Sequence, residues 1–537
     1  MNFRASLDGQ HFDVLVIGGG INGVAVAREC ARAGRRTLLV EQRDFCSGTT
    51  SRSTRIIHGG LRYLEQGDLK QVREGLRERE RLLTEYPGLV RPLQFLLVLD
   101  GDGRRSALAV RAGLWLYRQL GHRGSGKNGT RSVRVRLEKL LDTDKRFSVL
   151  DYEDAQCEFP ERLVAQWLWE AVRAGCVARN HTEVLAVEIR NGSVTGARLR
   201  NELYGTEENI QAKWVINATG PWADRVCSSS GVRTAKAMIG GVRGSHIVLP
   251  KFSGAPDAAL YAEAIDGRPI FLIPWNEQLL VGTTEVPDTG NPDRARPDAD
   301  ELHYLLGSVQ RLFPGVPLSK SDVRYAFSGI RPLPYSPDSN PLSTTRRHFL
   351  HDHAADGAVG MISVIGGKLT TAGCVARECA ERIGVEQRVQ RRTVLVRESD
   401  LEDGVRSTIE KVAAIGRVSQ ETASAMFDWF GERSLEIAHI QQANPQLRSP
   451  LCPHSKHTVA EAVYGSNEEF AVTLADLLLR RGPVALGPCW SPECSQVAAR
   501  KIAAAMAWDS HRTGLELEQF EEERDAFLNP AVQAREG

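Results

Sequence analysis

The sequence predicts a chain of three structural types: an α/β domain at the start, mostly antiparallel strands in the middle and helices at the end. Three observations predict this fold class. A strand, a glycine turn, a helix and a second strand follow one another within residues 12–41. Short apolar runs punctuated by proline and glycine occupy 240–335. Helical stretches such as "EEFAVTLADLLLRR" dominate the chain from about residue 395 onward.

Composition and charge exclude several classes of protein. Lys and Arg number 68 and Asp and Glu 67, so the molecule as a whole gives no reason to expect a polyanionic partner, and we expect no nucleic acid. The first 14 residues lack the apolar run of a signal peptide, and no run approaches the ~20 apolar residues that span a bilayer. We therefore expect a cytoplasmic protein that, if it meets a membrane, lies on its surface.

The ten cysteines are scattered without a C-x-x-C pair, which favours a reducing compartment. One cluster is a candidate metal site, and it consists of Cys452, His454 and His457 followed by Cys489 and Cys494. Its spacing fits no standard zinc signature. We therefore interpret these residues as ordinary loop and core side chains and expect no metal.

The first βαβ unit has the features of a dinucleotide-binding site. Gly18, Gly20 and Gly23 form a G-x-G-x-x-G turn, which permits a tight turn, close approach of the backbone to a pyrophosphate and close packing of helix on strand. Amides at the helix N-terminus then hold the diphosphate. Glu41, at the end of the second strand, stands where an acid accepts hydrogen bonds from a ribose diol. The motif alone does not choose between FAD and NAD.

The residues after Glu41 favour FAD. A loop of small hydroxyl residues, "CSGTTSRST", follows where an NAD domain would usually continue with another βα unit, and such a loop suits a long extended cofactor. Two later segments, "VINATGPWAD" and "VIGGKLTTAG", again run from a strand into a glycine turn and a helix start. A helix N-terminus aimed at a flavin would favour negative charge on the reduced ring.

Nine short strings between residue 14 and about residue 470 resemble, in the same order, those of the FAD-dependent, membrane-associated glycerol-3-phosphate dehydrogenases. The sequence departs from that family mildly, with Arg55 where close relatives often carry Lys and Glu285 where Asp is common, and neither change removes a charge. The strings are "IGGGINGVAVA", "SRSTRIIHGGLRYLE", "VINATGPWAD", "RGSHIVLP", "LIPW", "VGTTEV", "FSGIRPL", "IGGKLTTAG" and "AVYGSNEEF".

The resemblance implies a discontinuous FAD-binding domain of the Rossmann-like, D-amino-acid-oxidase-like type, an antiparallel β-rich substrate or cap domain and an all-α C-terminal domain. The ranges expected for these domains are, in that order, 1–90 with 150–240 and 340–390, 91–149 with 241–339, and 395–537. The residues expected to contact FAD lie in the glycine turns and the hydroxyl loop. They are Gly18, Gly20, Gly23, Glu41, Thr49, Thr50, Ser51, Ser53, His58, Gly59, Gly60, Thr219, Gly220, Gly366, Gly367, Lys368, Leu369 and Thr370.

A phosphorylated polyol would bring about two negative charges and a secondary alcohol to this site. Arg62 and Arg331 are the expected phosphate clamp, because a guanidinium binds phosphate bidentately. Lys368 is expected near the flavin ring, where its charge would stabilise the reduced form or bind substrate. Removal of the hydroxyl proton needs a base, for which His58 and His246 are the candidates. We favour His246, from the substrate domain, and expect His58 to pack on the flavin.

A local basic stretch lies between Asp102 and Glu138, where nine Lys or Arg occur and no acid. Residues 104–127 mix these charges with apolar side chains, the pattern of an amphipathic helix on an anionic phospholipid surface. A helix packed on the substrate domain is an equal alternative. Membrane contact would place the protein on the inner face of the cell membrane.

The function predicted from the resemblance is FAD-dependent oxidation of sn-glycerol 3-phosphate to dihydroxyacetone phosphate, with electrons passed to a membrane quinone. Three alternatives stay open: an oxidase that uses oxygen, a flavoenzyme that oxidises an amino or hydroxy acid, and a flavin-binding membrane scaffold without turnover. Assembly as a homodimer is also left open.

Overall fold

The structure of the chain is a computed structural model. The residues that it describes are 6–65, 67–100, 107–121, 130–142, 146–335, 347–385 and 398–528.

Seventeen strands lie within the described residues. They are β1 (His11–Ile17), β2 (Thr37–Val40), β3 (Ile56–Ile57), β4 (Arg91–Asp100), β5 (Phe147–Gln156), β6 (Val177–Arg179), β7 (Thr182–Arg190), β8 (Ser193–Asn201), β9 (Glu207–Asn217), β10 (Val242–Pro250), β11 (Ala259–Glu263), β12 (Pro269–Trp275), β13 (Gln278–Gly282), β14 (Val286–Pro287), β15 (Tyr325–Arg331), β16 (Phe349–Asp352) and β17 (Met361–Ile365).

Fifteen α-helices accompany them in the same part of the chain. They are α1 (Ile21–Arg32), α2 (Leu61–Glu65), α3 (Leu69–Glu85), α4 (Ala107–Leu120), α5 (Thr130–Glu138), α6 (Pro160–Arg173), α7 (Ala223–Ser229), α8 (Ala299–Leu312), α9 (Ala372–Arg382), α10 (Glu398–Gly416), α11 (Gln420–Phe430), α12 (Ser434–Ala443), α13 (Val459–Glu468), α14 (Pro492–Met506) and α15 (Ser510–Leu528). None of the described helices has both the length and the apolar character that crossing a bilayer requires.

The first sheet has a parallel centre. Its strands lie in the order β16, β17, β9, β1, β2, β6, and the β7–β8 hairpin joins it through β8 beside β9. Strands β17, β9, β1, β2 and β6 run parallel, and β16 is antiparallel to β17. Val14 to Ile17 are consecutively buried, as expected for a parallel strand covered on both faces. Helix α1 packs against α6 and α9, so a helical layer covers one face of this sheet.

The second sheet is mostly antiparallel. Its order is β14, β10, β13, β12, β11, β4, β5, β3, and β15 pairs with β10. Helix α8 packs apolar side chains against one face, and α3 and α4 lie with the core on the other. This sheet includes β3, which lies within the range 1–90 predicted for the FAD domain, and β5, most of which lies within the predicted range 150–240. The chain therefore crosses from one sheet to the other at these strands. The predicted domain ranges stay a prediction, whereas the predicted fold class is confirmed.

Buried ion pairs attach the helical region to the first sheet and its helical layer. The guanidinium of Arg162, in α6, donates to both carboxylate oxygens of Glu469 at 2.7 and 2.9 Å. Arg433 donates to the same carboxylate at 2.6 Å. Arg481 donates to Asp44, in the loop after β2, at 2.6 and 2.8 Å. Because Arg162 and Glu469 are fully buried, removal of either partner would leave a buried charge with fewer contacts.

Candidate active site

A cavity of about 650 Å³ lies between the two sheets. Residues at or just after the carboxyl ends of β1, β2, β9 and β17 line one side, and residues of β10, β12 and β15 line the other. Ligands of open α/β sheets bind at the carboxyl ends of the strands, and the volume is that of a typical ligand pocket. The cavity is therefore the candidate active site.

The first glycine turn forms one end of this cavity. Gly18 has φ 106°, and a Cβ there would lie 2.7 Å from the Ala218 carbonyl oxygen. A Cβ on Gly23 would lie 1.8 Å from the Gly18 oxygen, so Gly23 packs behind the turn and does not line the cavity. Gly20 lines the cavity at the start of α1, where Thr50 Oγ1 accepts a hydrogen bond from the Ile21 amide at 3.1 Å.

Glu41 lies beside this turn. Its two carboxylate oxygens accept hydrogen bonds from the backbone amides of Gly19 at 2.6 Å and Arg43 at 2.9 Å. Burial raises the pKa of the carboxyl above its ordinary value, although these two amides act in the opposite direction. Each oxygen has one amide partner and retains a lone pair, so the group is able to accept hydrogen bonds from a diol.

The hydroxyl loop after Glu41 follows the cavity wall. Thr49, Thr50 and Ser53 line it, and Thr49 Oγ1 donates to the Ile330 carbonyl at 2.9 Å, which joins the loop to β15. Ser51 is buried away from the cavity, where its hydroxyl contacts the carbonyl of Cys46. Ser51 therefore shapes the loop.

Two further glycine turns complete the wall. Thr219 and Gly220 follow β9 and line the cavity. Gly366 and Gly367 follow β17 with φ 77° and 90°, conformations that favour glycine, and they lead into Lys368, Leu369 and Thr370, which also line it.

His58, Gly59 and Gly60 belong to the segment that faces this last turn. The His58 amide donates to Thr370 Oγ1 at 3.1 Å, and His58 and Gly60 line the cavity. Gly59 lies behind them, with its amide donating to the Tyr117 hydroxyl at 2.8 Å. An extended dinucleotide cofactor fits this cavity. Its diphosphate would lie at the start of α1 and its ribose diol at Glu41, and the three glycine turns leave room for the rest of the molecule.

His246 projects from β10 towards the same cavity. Its Nε2 lies 3.0 Å from Thr54 Oγ1, and its ring stacks on Phe327 with centroids 5.1 Å apart. Burial, with smaller contributions from Arg331 and Arg55, lowers the pKa of the imidazole to about 3. From the sequence we expected a base that titrates near neutral pH, and the structure differs because it buries this ring.

Arg331 ends β15 and lines the cavity. Its guanidinium donates to Thr283 Oγ1 at 2.8 Å and to the Thr284 carbonyl at 3.3 Å. A Cβ on Gly244 would lie 2.3 Å from the same guanidinium, so the glycine leaves the space that the arginine occupies. The orientation of the Arg331 guanidinium is therefore fixed by its position at the end of β15, by Thr283 and Thr284, and by the space above Gly244.

The other predicted cations divide into three cases. Lys368 lines the cavity, with Nζ 3.9 Å from the centroid of the Tyr63 ring. Arg62 lies in α2, but its side chain is outside the described residues, so its phosphate role stays a prediction. Arg55 forms a fully buried bidentate pair with Glu161, both contacts at 2.9 Å, and its charge is therefore balanced within the fold.

Comparison with known proteins places these features in a family. Residues 13–373 match the family model described as FAD dependent oxidoreductase, and residues 380–513 match the C-terminal domain of alpha-glycerophosphate oxidase. A glycerol-3-phosphate dehydrogenase of Synechocystis sp. is 36% identical over 492 residues, which cover 88% of this chain and 89% of the relative. The chain belongs to the FAD-dependent glycerol-3-phosphate dehydrogenase family. Its cofactor is FAD, as the sequence predicted.

Other members and neighbours of the family agree. Glycerol-3-phosphate dehydrogenase 2 of Mycobacterium tuberculosis is 30% identical over 516 residues, covering 93% of this chain and 86% of the relative. The crystal structure of the glycerol-3-phosphate dehydrogenase from Bacillus halodurans complexed with FAD shares the fold, with a TM-score of 0.78 at 22% identity over 98% of this chain and 97% of the other. The predicted family, fold class and cofactor are confirmed.

A buried polar group that was not predicted from the sequence lies behind Gly59. The Tyr117 hydroxyl donates to Asp154, with the two carboxylate oxygens at 2.8 and 2.9 Å, and Arg79 donates to the same carboxylate at 2.9 Å. Burial raises the pKa of Asp154 to about 6, although Arg79 and Tyr117 act in the opposite direction. Asp154 also lines the cavity. No local motif marks this group, because its members come from α3, α4 and β5.

Thr54, Thr283 and Thr284 were also not assigned roles from the sequence. They occur in the strings "SRSTRIIHGG" and "VGTTEV", on which the family resemblance rests. The strings themselves do not indicate which side chains these threonines contact. In the structure Thr54 contacts the imidazole of His246, and Thr283 and Thr284 accept hydrogen bonds from the guanidinium of Arg331.

The surface of α4 carries exposed apolar side chains. Leu108 is 75% exposed and Trp115, two helical turns later, is 63% exposed. Arg111 lies between them and is exposed. On the opposite side of the helix Leu114 and Tyr117 are buried, so the basic stretch both packs on the protein and presents an apolar surface. Residues 104–106 and 122–127 of the predicted docking segment lie outside the described residues.

Proposed function

We propose that the protein oxidises sn-glycerol 3-phosphate to dihydroxyacetone phosphate and that the electrons pass from FAD to a membrane quinone. The observation that carries the proposal is the 36% identity to a glycerol-3-phosphate dehydrogenase across 88% of the chain. The site supports it, because Arg331 and His246 line the same cavity as the glycine turns of the FAD site.

The phosphate binds to Arg331 in this proposal. Its guanidinium is held by Thr283 and Thr284, so little side-chain freedom is lost when it meets an anion. A charge-assisted contact of this kind contributes roughly 1.5–3 kcal/mol. Arg62 is proposed as the second arm of the clamp.

His246 accepts the proton of the substrate hydroxyl in this proposal. FAD, when bound, supplies the acceptor for the hydride. The low pKa of His246 keeps the imidazole neutral throughout the ordinary pH range, but a pKa of about 3 also makes it a weak base in the free enzyme. A phosphate dianion at Arg331 would offset one of the cations that lower this pKa, so substrate binding would make the imidazole more basic.

Two further groups would favour the reduced cofactor. Lys368 contributes a positive charge beside the third glycine turn, and α9 starts at Ala372, four residues later. The positive end of a helix dipole and an ammonium group both stabilise negative charge that develops nearby. His58, which contributes to the same wall, is proposed to pack on the flavin.

The quinone part of the proposal rests on α4. Leu108 and Trp115 present two exposed apolar side chains on one surface, with Arg111 between them. Such a surface suits the headgroup layer of an anionic membrane, from which a lipid-soluble quinone is reached. We therefore propose peripheral association with the inner face of the cell membrane.

A second candidate substrate is a longer polyol phosphate. D-erythritol 1-phosphate dehydrogenase of Brucella abortus is also 36% identical, over 373 residues that cover 69% of this chain and 72% of the relative. Both substrate classes place a phosphate at one end of a polyol, so the same arginine clamp would serve either. Amino-acid substrates have less support, because enzymes such as glycine oxidase from Geobacillus kaustophilus share the fold at 18% identity.

Anaerobic reduction of the bound flavin tests the proposal. Under nitrogen, sn-glycerol 3-phosphate should bleach the flavin absorbance, and the enantiomeric sn-glycerol 1-phosphate and unphosphorylated glycerol serve as matched controls. Bleaching by erythritol phosphate or an amino acid, but not by glycerol phosphate, would contradict it. Reoxidation of the bleached enzyme by a quinone analogue or by oxygen, with peroxide measured, then distinguishes the dehydrogenase from the oxidase.

A further inference from the structure

Cys452 and His454 come together in the helical region with Cys494, which is distant from them in sequence. The Sγ atoms of Cys452 and Cys494 and a ring nitrogen of His454 all lie within 4.8 Å of one another. Cys489 lies next to this group, because its carbonyl oxygen is 3.6 Å from Cys494 Sγ. We propose that Cys452, His454, Cys489 and Cys494 bind one zinc ion.

The separations suit a tetrahedral ion. Zinc holds sulfur at ~2.3 Å and nitrogen at ~2.0 Å, so ligand atoms in a tetrahedral site lie roughly 3.3–3.8 Å apart. The three closest groups need to approach by about 1 Å or a little more, which side-chain rotation supplies. Three thiolates and one imidazole form a ligand set that structural zinc sites use. The spacing along the chain is unusual because the ligands come from two loops, one before α13 and one at the start of α14.

His457, the other histidine of the segment, is already engaged. Its Nδ1 lies 2.7 Å from Glu461, and its ring stacks on Trp429 with centroids 3.3 Å apart. His454 is exposed, and one of its ring nitrogens lies near enough to the two buried thiols to share an ion with them. The fold therefore selects His454 as the nitrogen ligand.

Two other groups of candidate ligands among the described residues differ from this cluster. His353 and His351 both hydrogen-bond Asp356, at 2.9 and 2.7 Å. Asp44 and Asp476 are paired with arginines, as in the 2.6 Å contact from Arg481 to Asp44. Their ligand atoms already have charged partners, whereas the sulfur atoms of the cysteine cluster contact mainly one another and the backbone.

The local backbone suits thiolates. Cys494 is the third residue of α14, where helix amides and the dipole favour negative charge. Zinc binds thiolates, so each ligating thiol would release its proton to solvent when the ion binds.

The position of the cluster gives the ion a structural role. The loop that leads into Cys489 lies against the second sheet, where the Gly487 carbonyl accepts a hydrogen bond from the Tyr325 hydroxyl at 2.7 Å. The Leu486 carbonyl accepts from Asn276 Nδ2 at 2.9 Å. Zinc would fix this loop to the segment before α13 and so stabilise the contact between the helical region and the sheet that carries His246.

Metal analysis of the FAD-loaded, full-length protein tests the inference. After purification in a reducing buffer without chelator and dialysis, we expect about one zinc per chain. After removal of zinc, Co²⁺ should give the visible absorption of a tetrahedral thiolate site. His454→Gln and Cys489→Ser change exposed residues and should fold, yet each should weaken zinc binding in a chelator competition by at least ~100-fold.

Matched variants serve as controls and make the test decisive. His439→Gln, at an exposed histidine of α12, and Cys374→Ser, at a half-buried cysteine of α9, should keep the full zinc content and flavin spectrum. Protein without zinc, zinc retained equally by His454→Gln and Cys489→Ser, or a disulfide between Cys452 and Cys494 in reduced preparations would each overturn the inference. Because catalytic activity is not the readout, failure here is distinct from failure of the proposed substrate.

Discussion

Gly282 lies directly opposite His246 in the antiparallel pair of β10 and β13, and a Cβ on Gly282 would come within 2.2 Å of the imidazole Cδ2. The imidazole therefore occupies the volume that any other residue at position 282 would need. Because His246 is also fixed by Thr54 and by stacking on Phe327, it has little room to give way.

Substitution of Gly282 by Ala should displace the imidazole without touching the FAD turns. If His246 is the base, flavin reduction should slow by roughly 100-fold or more, the lower range for loss of general-base catalysis, while FAD stays bound. Stopped-flow absorbance under nitrogen measures the rate. Gly307→Ala is the control, because a Cβ on Gly307, in α8, would have no atom within 4 Å, and it should leave the rate unchanged. A Gly282→Ala rate equal to wild type would contradict the assignment.

The lowered pKa of His246 predicts a specific dependence of stability on pH. Between pH 6.5 and about 3 the unfolded chain binds a proton at this histidine that the folded chain excludes, so the free energy of unfolding falls as pH decreases through that window. Between pH 7.5 and 5 the loss attributable to this group is roughly 2 kcal/mol.

The variant His246→Gln should lose correspondingly less stability over this interval than wild type in urea unfolding. His303→Gln, at an exposed histidine of α8, should behave like wild type. In the free enzyme the acidic limb due to His246 should lie near pH 3 and not near neutrality. Equal losses in wild type and His246→Gln would show that the imidazole titrates normally.

Arg331→Ala should separate substrate binding from cofactor binding. Loss of one charge-assisted phosphate contact should raise KM for glycerol phosphate by roughly 10- to 100-fold, while the flavin spectrum is retained. Arg331→Lys should recover only part of the affinity, because an ammonium group lacks the bidentate geometry. Arg294→Ala, at an exposed arginine of the same region, is the control. Wild-type kinetics in Arg331→Ala would remove this residue from the substrate site.

The exposed surface of α4 predicts binding to anionic vesicles. Trp115→Glu combined with Arg111→Gln should move the protein from the vesicle pellet to the supernatant, because both the apolar anchor and a cation are lost. Turnover with a water-soluble dye as electron acceptor should stay unchanged. Tyr204→Glu, at a residue 60% exposed elsewhere, should sediment like wild type. Continued sedimentation of the α4 variant would indicate a different membrane surface.

The parts of the site that the sequence predicted are local. The glycine turn at Gly18 and the acid at Glu41 lie within one βαβ unit, where backbone geometry requires glycine and the strand end fixes the acid. The family strings added the later turns and the cationic candidates Arg62, Arg331 and Lys368. Of these, Arg331 and Lys368 line the same cavity as His246 and the glycine turns.

The parts that the sequence did not predict depend on pairing between distant segments. Arg55 is close to the FAD loop in sequence, but its charge is balanced by Glu161, 106 residues later. The threonines that position Arg331 come from the loop after β13, and the environment that lowers the His246 pKa exists only once the strands have paired. Local periodicity carries no information about such contacts.

The parallel order β17, β9, β1 has a consequence for how the protein is made. The ribosome synthesises β1 and its glycine turn within about the first 20 residues, but the neighbouring strand β9 ends at Asn217 and β17 ends at Ile365. The turn at Gly366 and Gly367 emerges later still. A nascent chain shorter than this has an exposed parallel strand edge and an incomplete flavin pocket, so flavin capture must follow synthesis of more than two thirds of the polypeptide.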